Sequence, residues 1–408
     1  MKLRRYTSVV LVAVLSALLA AGAGAADGEQ RVAFLTIDSA VRLALSEGGR
    51  AEGARLRLTE SLLQAANMEH EHEVGPPRSR SMTLPAGEGE GESVSITIFQ
   101  PDKLDVARIE ELLPLQFEAA RDVALVTYIQ EMAGARAAAI NAYYTALLAR
   151  GRMEVLEQSL LRVEAHHRRA EALYENGKVS EVDVFRSQVA RAETRAQLRS
   201  TEGEFEAALV NLKEEIGLAL DTPVVLEHTP EFTPVGELNL EQDLQRALEV
   251  NPGAAAARGN LVIAEKDMEL FIETRGGFAG RRTYHECSLA VDSAMHELKQ
   301  VERHLEAQVR NIHSRMPEIA GQIEARREQL ELARRLEQIA GLRYEAGLGT
   351  VVDLLDASVA VREAEAAHLE AVVLHKMAAV EREVLLAEGV TDARDEFEQV
   401  LSEINELR

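Results

Sequence analysis

Two stretches decide how this chain folds: YENGKVSEVDVFRSQVARAE at Tyr174–Glu193 and YEAGLGTVVDLLDASVAVRE at Tyr344–Glu363. At an offset of 170 they match Tyr174 with Tyr344, Gly177 with Gly347, Asp183 with Asp353 and Glu193 with Glu363. Upstream of each lies a second matched pair. LTIDSAVRLALSEGG begins at Leu35 and LNLEQDLQRALEVNP at Leu238, an offset of 203 that matches Ala44 with Ala247 and Leu45 with Leu248. Two matched segments in the same order mark an internal duplication.

The offsets differ by 33 residues, so the second copy is shorter between its two motifs. The first copy fills that interval with Pro76, Pro77, Pro85, Gly87, Gly89, Gly91 and Pro101, which forbid a continuous helix. Inside it, SVSITIF at Ser93–Phe99 alternates Val94, Ile96 and Ile98 with Ser95 and Thr97, the two-residue period of a strand. The second copy has only the short break ETRGGFAGRR at Glu273–Arg282, too brief for such strands.

Helical patterns flank these breaks. The sequence predicts a helix starting at a cap on Thr36 or Asp38 and running to about Glu73, then Leu104–Tyr174 and Val182–Ile216. A linker at 217–237 holds Pro223, Pro230 and Pro234. Helices at about Leu240–Glu273, Cys287–Tyr344 and Val351–Glu388 follow, the second with Pro317 as an expected kink. A helix of roughly 70 residues extends about 100 Å, far beyond a compact domain. Coiled-coil spacing at Leu332, Leu336 and Ile339 points to packing along neighbouring helices and to oligomerisation.

The first 25 residues read as a signal peptide: Lys2, Arg4 and Arg5, an apolar run from Val9 to Ala21, then Ala23-Gly24-Ala25. The organisation is then a signal peptide at 1–25, a first unit at 26–216 with a strand region at 75–102, a linker at 217–237, a shortened second unit at 238–389 and a C-terminal tail at 390–408. With 45 Lys and Arg against 68 Asp and Glu, the chain carries a net charge of −23, which excludes nucleic acid as a partner. Cys287, the lone cysteine, forms no internal disulfide. Aromatic residues are 4% and Trp is absent, a composition for closely packed long helices rather than a membrane barrel with aromatic girdles.

The four motifs, in register across two copies up to about Gly389, resemble those of the TolC family of outer-membrane efflux proteins. The resemblance implies a mainly α fold of long antiparallel helical hairpins in two structural repeats, forming a trimeric α-helical barrel, with a small β segment in the first repeat only. It implies a homotrimer that acts as a passive export duct of a tripartite efflux or type I secretion system. A periplasmic adaptor (membrane fusion) protein and an inner-membrane transporter would dock at the hairpin tips, with the protein at the outer membrane and in the periplasm. The chain departs from the family where the barrel should be, since two strands per chain give six in a trimer instead of twelve. A barrel-less helical adaptor or spacer without an outer-membrane pore is the alternative reading.

The resemblance also assigns residues. Gly177, Lys178, Val179, Gly347, Leu348 and Gly349 would be the adaptor-docking tips. Asp353 and Asp356, three apart on one helix face, would make an acidic ring at the pore mouth that attracts cations. Asp183 and Tyr344 match residues that hold the mouth closed, while the third partner, an arginine, falls at Gly349. The bland readings are helix caps for the glycines and Asp183, a packed aromatic for Tyr344, and a solvated helix face for the acids.

No enzyme, cofactor or metal is expected. His296-Glu297 begins a zinc-protease motif, but Gln300 replaces its second histidine. Glu69-His70-Glu71-His72-Glu73 places alternate residues in different directions on a helix. His285 with Cys287 is an equally weak pair, and His166-His167 read as surface residues of a long helix. The GEGEGE run at Gly87–Glu92 lacks the lysine of a phosphate-binding loop.

Overall fold

A computed structural model describes residues 33–74, 80–84, 94–99, 102–227, 232, 236, 238–275, 281–390 and 392–406. The expected signal peptide lies outside them. The first copy comprises β1 (Ala33–Leu35), α1 (Ile37–Glu47), α2 (Gly49–Val74), β2 (Arg80–Leu84), β3 (Val94–Phe99), α3 (Lys103–Ala107), a π turn (Arg108–Leu112), α4 (Leu113–Glu175), α5 (Glu181–Glu215) and β4 (Val224–Leu226). The second comprises α6 (Leu240–Val250), α7 (Pro252–Arg275), α8 (Arg281–Glu345) and α9 (Val351–Leu385), followed by α10 (Ala393–Glu406). No described helix is long and apolar enough to cross a membrane.

Each copy opens with a short capped helix. Thr36 accepts from the Ser39 N–H, and the Ser39 hydroxyl accepts from the Thr36 N–H at 2.8 Å. Asn239 does the first of these jobs for α6, accepting from Gln242 N–H at 3.2 Å. The helix expected to run unbroken to Glu73 stops at Gly48, whose backbone is extended (φ −69°, ψ 137°). A Cβ there would lie 2.3 Å from the Ala44 carbonyl oxygen and 2.9 Å from that of Glu215, so only glycine lets the chain pass the end of α5. The helix expected at Leu240–Glu273 breaks likewise, at Asn251. Its side chain caps α7 by accepting from Ala254 N–H at 3.0 Å, and Pro252 takes the first helical position, where no N–H is needed.

α4 is the spine. Ala124, Ala133, Ala135, Ala137, Ala139, Ala146 and Ala149 are buried along it, so that α1, α2, α5, α7 and α9 can approach closely. At Gly151 an added Cβ would lie 2.4 Å from Leu369 of α9. The π turn just before α4 is closed by an N–H of Leu113 bonding to the Arg108 carbonyl; Pro114 follows, without an N–H of its own. Beyond this crowded end the long helices continue as two hairpins, α4–α5 and α8–α9, side by side in the order α5, α4, α9, α8. α8 is helical through Pro317.

The small sheets divide between the copies unequally. β2 and β3 pair antiparallel, with Met82 opposite Ile96 and Leu84 opposite Val94. The parallel pair β1–β4 was not foreseen, and it places one strand inside the expected linker. Residues 390–408, expected as a plain tail, contain α10, whose Ala393, Phe397 and Ile404 are buried on the α2–α4 groove. Its Glu396 accepts from Arg55 at 3.2 Å and from the Tyr128 hydroxyl.

Candidate functional site: the paired tips and the seam above them

Both tips are built by one recipe. α4 ends with Gly177 at φ +68°, the Gly177 N–H bonding to the Tyr174 carbonyl (2.8 Å) and the Lys178 N–H to that of Leu173 (2.9 Å). α8 ends with Gly347 at φ +71°, with matching bonds from Gly347 to Tyr344 (3.1 Å) and from Leu348 to Arg343 (2.8 Å). This left-handed stop suits glycine and satisfies the last carbonyls of the helix. Three residues later each returning helix starts at a reciprocal cap. Asp183 accepts from the Ser180 N–H (3.1 Å) and hydroxyl (2.9 Å), and Asp353 from the Thr350 N–H (3.0 Å) and hydroxyl (2.9 Å). The Thr350 backbone bond, then its hydroxyl, hold the Asp353 carboxyl below the usual aspartate range.

The two tips face one another across an open cleft of 690 Å³ that Gly177, Lys178, Val179, Asp183, Tyr344, Gly347 and Gly349 help to line. Leu348 is 73% exposed, and Lys178 and Gly347 are exposed too. Asp353 and Asp356 both lie exposed on the first turns of α9. Asp183 and Tyr344 reach the same cleft without a hydrogen bond between them. Tyr344 is buried against Val351 and Leu354, and its hydroxyl makes no hydrogen bond within the chain. Burial raises its pKa, the Asp183 charge adds to the rise and Arg169 opposes it. At Gly349 a Cβ would lie 3.2 Å from Arg343 Cβ and 3.4 Å from Tyr344 N, so a larger residue needs the neighbouring turn to give way. Guanidinium groups reach the tips from Arg343, which donates to the Leu348 carbonyl, and from Arg169, paired with Glu345 at 2.9 Å. Sequence reading missed both, because each lies outside the repeated motif.

About two to four turns above the tips, a half-buried ionic cluster joins the copies. Arg162 of α4 pairs with Glu365 of α9 at 2.9 Å and lies 3.9 Å from Glu337 of α8. Arg334 of α8 adds a second cation to Glu365 at 3.0 Å. His166 Nε2 stands 3.6 Å from Glu337, beyond hydrogen-bond length, and neither ring nitrogen has a hydrogen-bond partner in the chain. His166 holds the Glu337 carboxyl below its ordinary range, helped by Ser358 and Arg162 against the opposing effect of burial. The expectation that His166 and His167 are surface residues is corrected: His167 is buried in the hairpin packing, bonding to the Ser187 hydroxyl at 2.8 Å, and the His166 side chain is only 12% exposed. Helices on two sides of α4 cover this face, which a single-helix reading of periodicity does not show. Among the described residues no group of three or more His, Cys, Asp or Glu is placed to hold a metal ion.

No family model and no curated protein matches the chain. Solved structures do. The outer-membrane channel OprN matches with a TM-score of 0.65 at 18% identity, over 87% of this chain and 90% of that one. The Campylobacter jejuni CmeC outer membrane channel matches at 0.65 and 13%, over 90% and 89%. The outer membrane protein VceC of Vibrio cholerae matches at 0.62 and 13%, over 86% and 95%. At these identities the likeness is one of fold. The chain has the TolC-type fold of long helical hairpins that these outer-membrane channels share.

Proposed function

We propose that the chain is one subunit of a closed helical duct for export across a bacterial envelope, built with two further copies of itself. One observation carries this reading. Within the chain, α4 meets the α8–α9 hairpin along Arg162, His166 and Arg169. The residues 170 positions on are Leu332, Leu336 and Ile339 of α8, which are 51%, 59% and 53% exposed. With Leu342 they form an apolar stripe on one edge of the four-helix row. The opposite edge, α5, exposes Val182, Phe185 and Val189. If the duplicated units repeat their contacts, the α8 stripe of one copy packs on the α5 stripe of the next, and the row closes into a ring.

Such a duct acts by geometry, without covalent chemistry. Its tips carry the docking residues Gly177, Lys178, Val179, Gly347, Leu348 and Gly349 for a periplasmic adaptor and an inner-membrane transporter. Asp353 and Asp356 form the acidic mouth, and Asp183 with Tyr344 form the contacts that close it. Light scattering tests the assembly: the native chain has three times the monomer mass, and Leu336→Glu, which puts a charge in the stripe, yields monomers. A native chain that stays monomeric at micromolar concentration overturns the duct. At the mouth, Asp353→Asn with Asp356→Asn lowers uptake or block by divalent cations, and an unchanged response removes the ring assignment.

A further inference from the structure

The duplication also fixes which helix edges fit each other. Positions 170 apart are buried alike along the hairpins: Ala124 with Ala294 and Ala139 with Val309 on α4 and α8, Thr201 with Ala371 and Ala208 with Ala378 on α5 and α9. The seam between α4 and α9 inside the chain is therefore a template for the two edges of the row, α8 and α5. Each residue pair that joins α4 to α9 has a counterpart pair, one residue on α8 and one on α5.

Ion pairs hold the inner seam, among them Arg136 with Glu383, and Arg162 with Glu365 at 2.9 Å. The counterparts of the first pair are Glu306 and Lys213, opposite in sign at both positions. Those of the second are Leu332 and Arg195, a cation where the inner seam has its acid. A first hairpin seated against another first hairpin would set Arg136 on Lys213 and Arg162 on Arg195. A second against a second would set Glu306 on Glu383. Both arrangements bring like charges together, which rejects a wrong partner. Within the chain, Glu306 pairs with Arg310 one turn along its own helix at 2.7 Å, and Lys213 donates to the Leu220 carbonyl at 2.8 Å. Such local contacts are weak enough to yield to a partner.

Shape agrees with charge. At Gly151 of α4, an added Cβ would lie 2.4 Å from Leu369 of α9. The counterpart of Gly151 is Gly321, a mid-helix glycine that costs α8 stability relative to alanine. It is exposed, and an added Cβ there would meet nothing within 4 Å. The counterpart of Leu369 is Arg199, exposed on α5.

We propose that the reversed charges on the α8 and α5 edges set the order of hairpins around the duct. Each second hairpin accepts only the first hairpin of the next copy, with Glu306 paired to Lys213 and Arg199 lying over the notch at Gly321. This rests on the duct reading above and adds to it the register of the seam and the choice of its partner.

The test is charge exchange in the full chain, read by light scattering. Glu306→Lys and Lys213→Glu each raise the concentration needed for assembly by about tenfold or more, and the two together bring it back to within about threefold of native. Glu306→Cys with Lys213→Cys in a Cys287→Ser background, treated with a short bis-maleimide, gives a covalent ladder ending at three chains. Single changes that leave assembly as it was, or a double variant no better than the singles, overturn the pairing while a native trimer keeps the duct. A native chain that stays monomeric overturns the duct and this seam with it.

Discussion

The head joints of the two copies occupy matching positions and are built from opposite chemistry. In the first copy Ala40, Tyr143 and Leu212 are fully buried in one apolar cluster, and the Tyr143 hydroxyl donates to the Leu35 carbonyl at 3.0 Å. The residues at the same offsets in the second copy are Asp243, His313 and Arg382. There the buried Asp243 accepts two bonds from Arg382, at 2.8 and 2.7 Å, and faces His313 Nε2 at 2.8 Å. One helix arrangement thus tolerates a greasy joint or an ionic one, provided that every buried polar group is paired. A buried ion pair is weak evidence of added stability, since desolvation consumes much of its attraction. What the ionic joint adds is dependence: each member needs the others.

That difference is easiest to break from the cation side. Arg382→Leu alone leaves Asp243 buried without its main partner and costs about 3–5 kcal/mol in urea unfolding. Moving the whole first-copy set into the second, Asp243→Ala with His313→Tyr and Arg382→Leu, brings stability back to within about 1–2 kcal/mol of the native chain. If the single change is as mild as the triple one, the joint is not a coupled unit.

Acid sharpens the same contrast. Bonds from Arg382 and His313 hold the Asp243 carboxyl below its ordinary range although burial opposes them. A depressed carboxylate contributes stability that is fully present above its unfolded pKa of about 3.9 and is lost as pH falls through the lower folded value. Hydrogen exchange measured after acid pulses therefore shows α6 losing protection only below about pH 4. α1 keeps its protection relative to α6, and the triple variant removes the difference.

A second matched pair is reversed in charge. Glu164–Arg195 joins the first hairpin at 3.1 Å, and Arg334–Glu365, at the same offset, joins the second at 3.0 Å. Glu365 is the more buried acid and also holds Arg162, so Glu365→Ala costs about 2–3 kcal/mol. Glu164→Ala, at an exposed pair, costs under about 1 kcal/mol. Equal losses in the two unfolding curves would mean that Arg162 adds nothing.

The last comparison, which ends on the smallest net effect, concerns the turns after the returning helices. Gly217 at φ +75° would bring a Cβ to 2.5 Å from the Glu47 carbonyl oxygen, so Gly217→Ala costs about 1–2 kcal/mol. Its counterpart is Ala387 at φ +49°, packed beside Ala133 and Val250. Ala387→Gly relieves about 1 kcal/mol of left-handed strain and removes a buried methyl worth about 0.8 kcal/mol, so the melting temperature stays nearly still.

Much of the architecture was legible because duplication and helix signals are local. Tyr174, Gly177 and Asp183 against Tyr344, Gly347 and Asp353 located both tips, and the glycines do take the left-handed stop. The breaks at Gly48 and Asn251 were missed because the apolar periodicity continues across them; close passage past Glu215 decides the first and an Asn-Pro cap the second. α10 was missed although Ala393, Phe397, Val400 and Ile404 carry a helical period, because those residues lie beyond the duplicated unit.

By itself, the sequence determined the helical hairpins, their duplication, the tip glycines, and the lack of strand length in the second copy. Each of these depends on neighbours a few residues apart or on counting. Tertiary structure alone decided which helix faces are covered. It sent Arg162 and His166 inward and left Leu332, Leu336 and Ile339 outward, against their hydropathy. Burial depends on what packs alongside, so a charged stripe was half-buried among partners that neutralise it and an apolar one was left at an open edge. The feature that opened the sequence thus has two tips alike in backbone, with the flanks above them contrasting in what they meet.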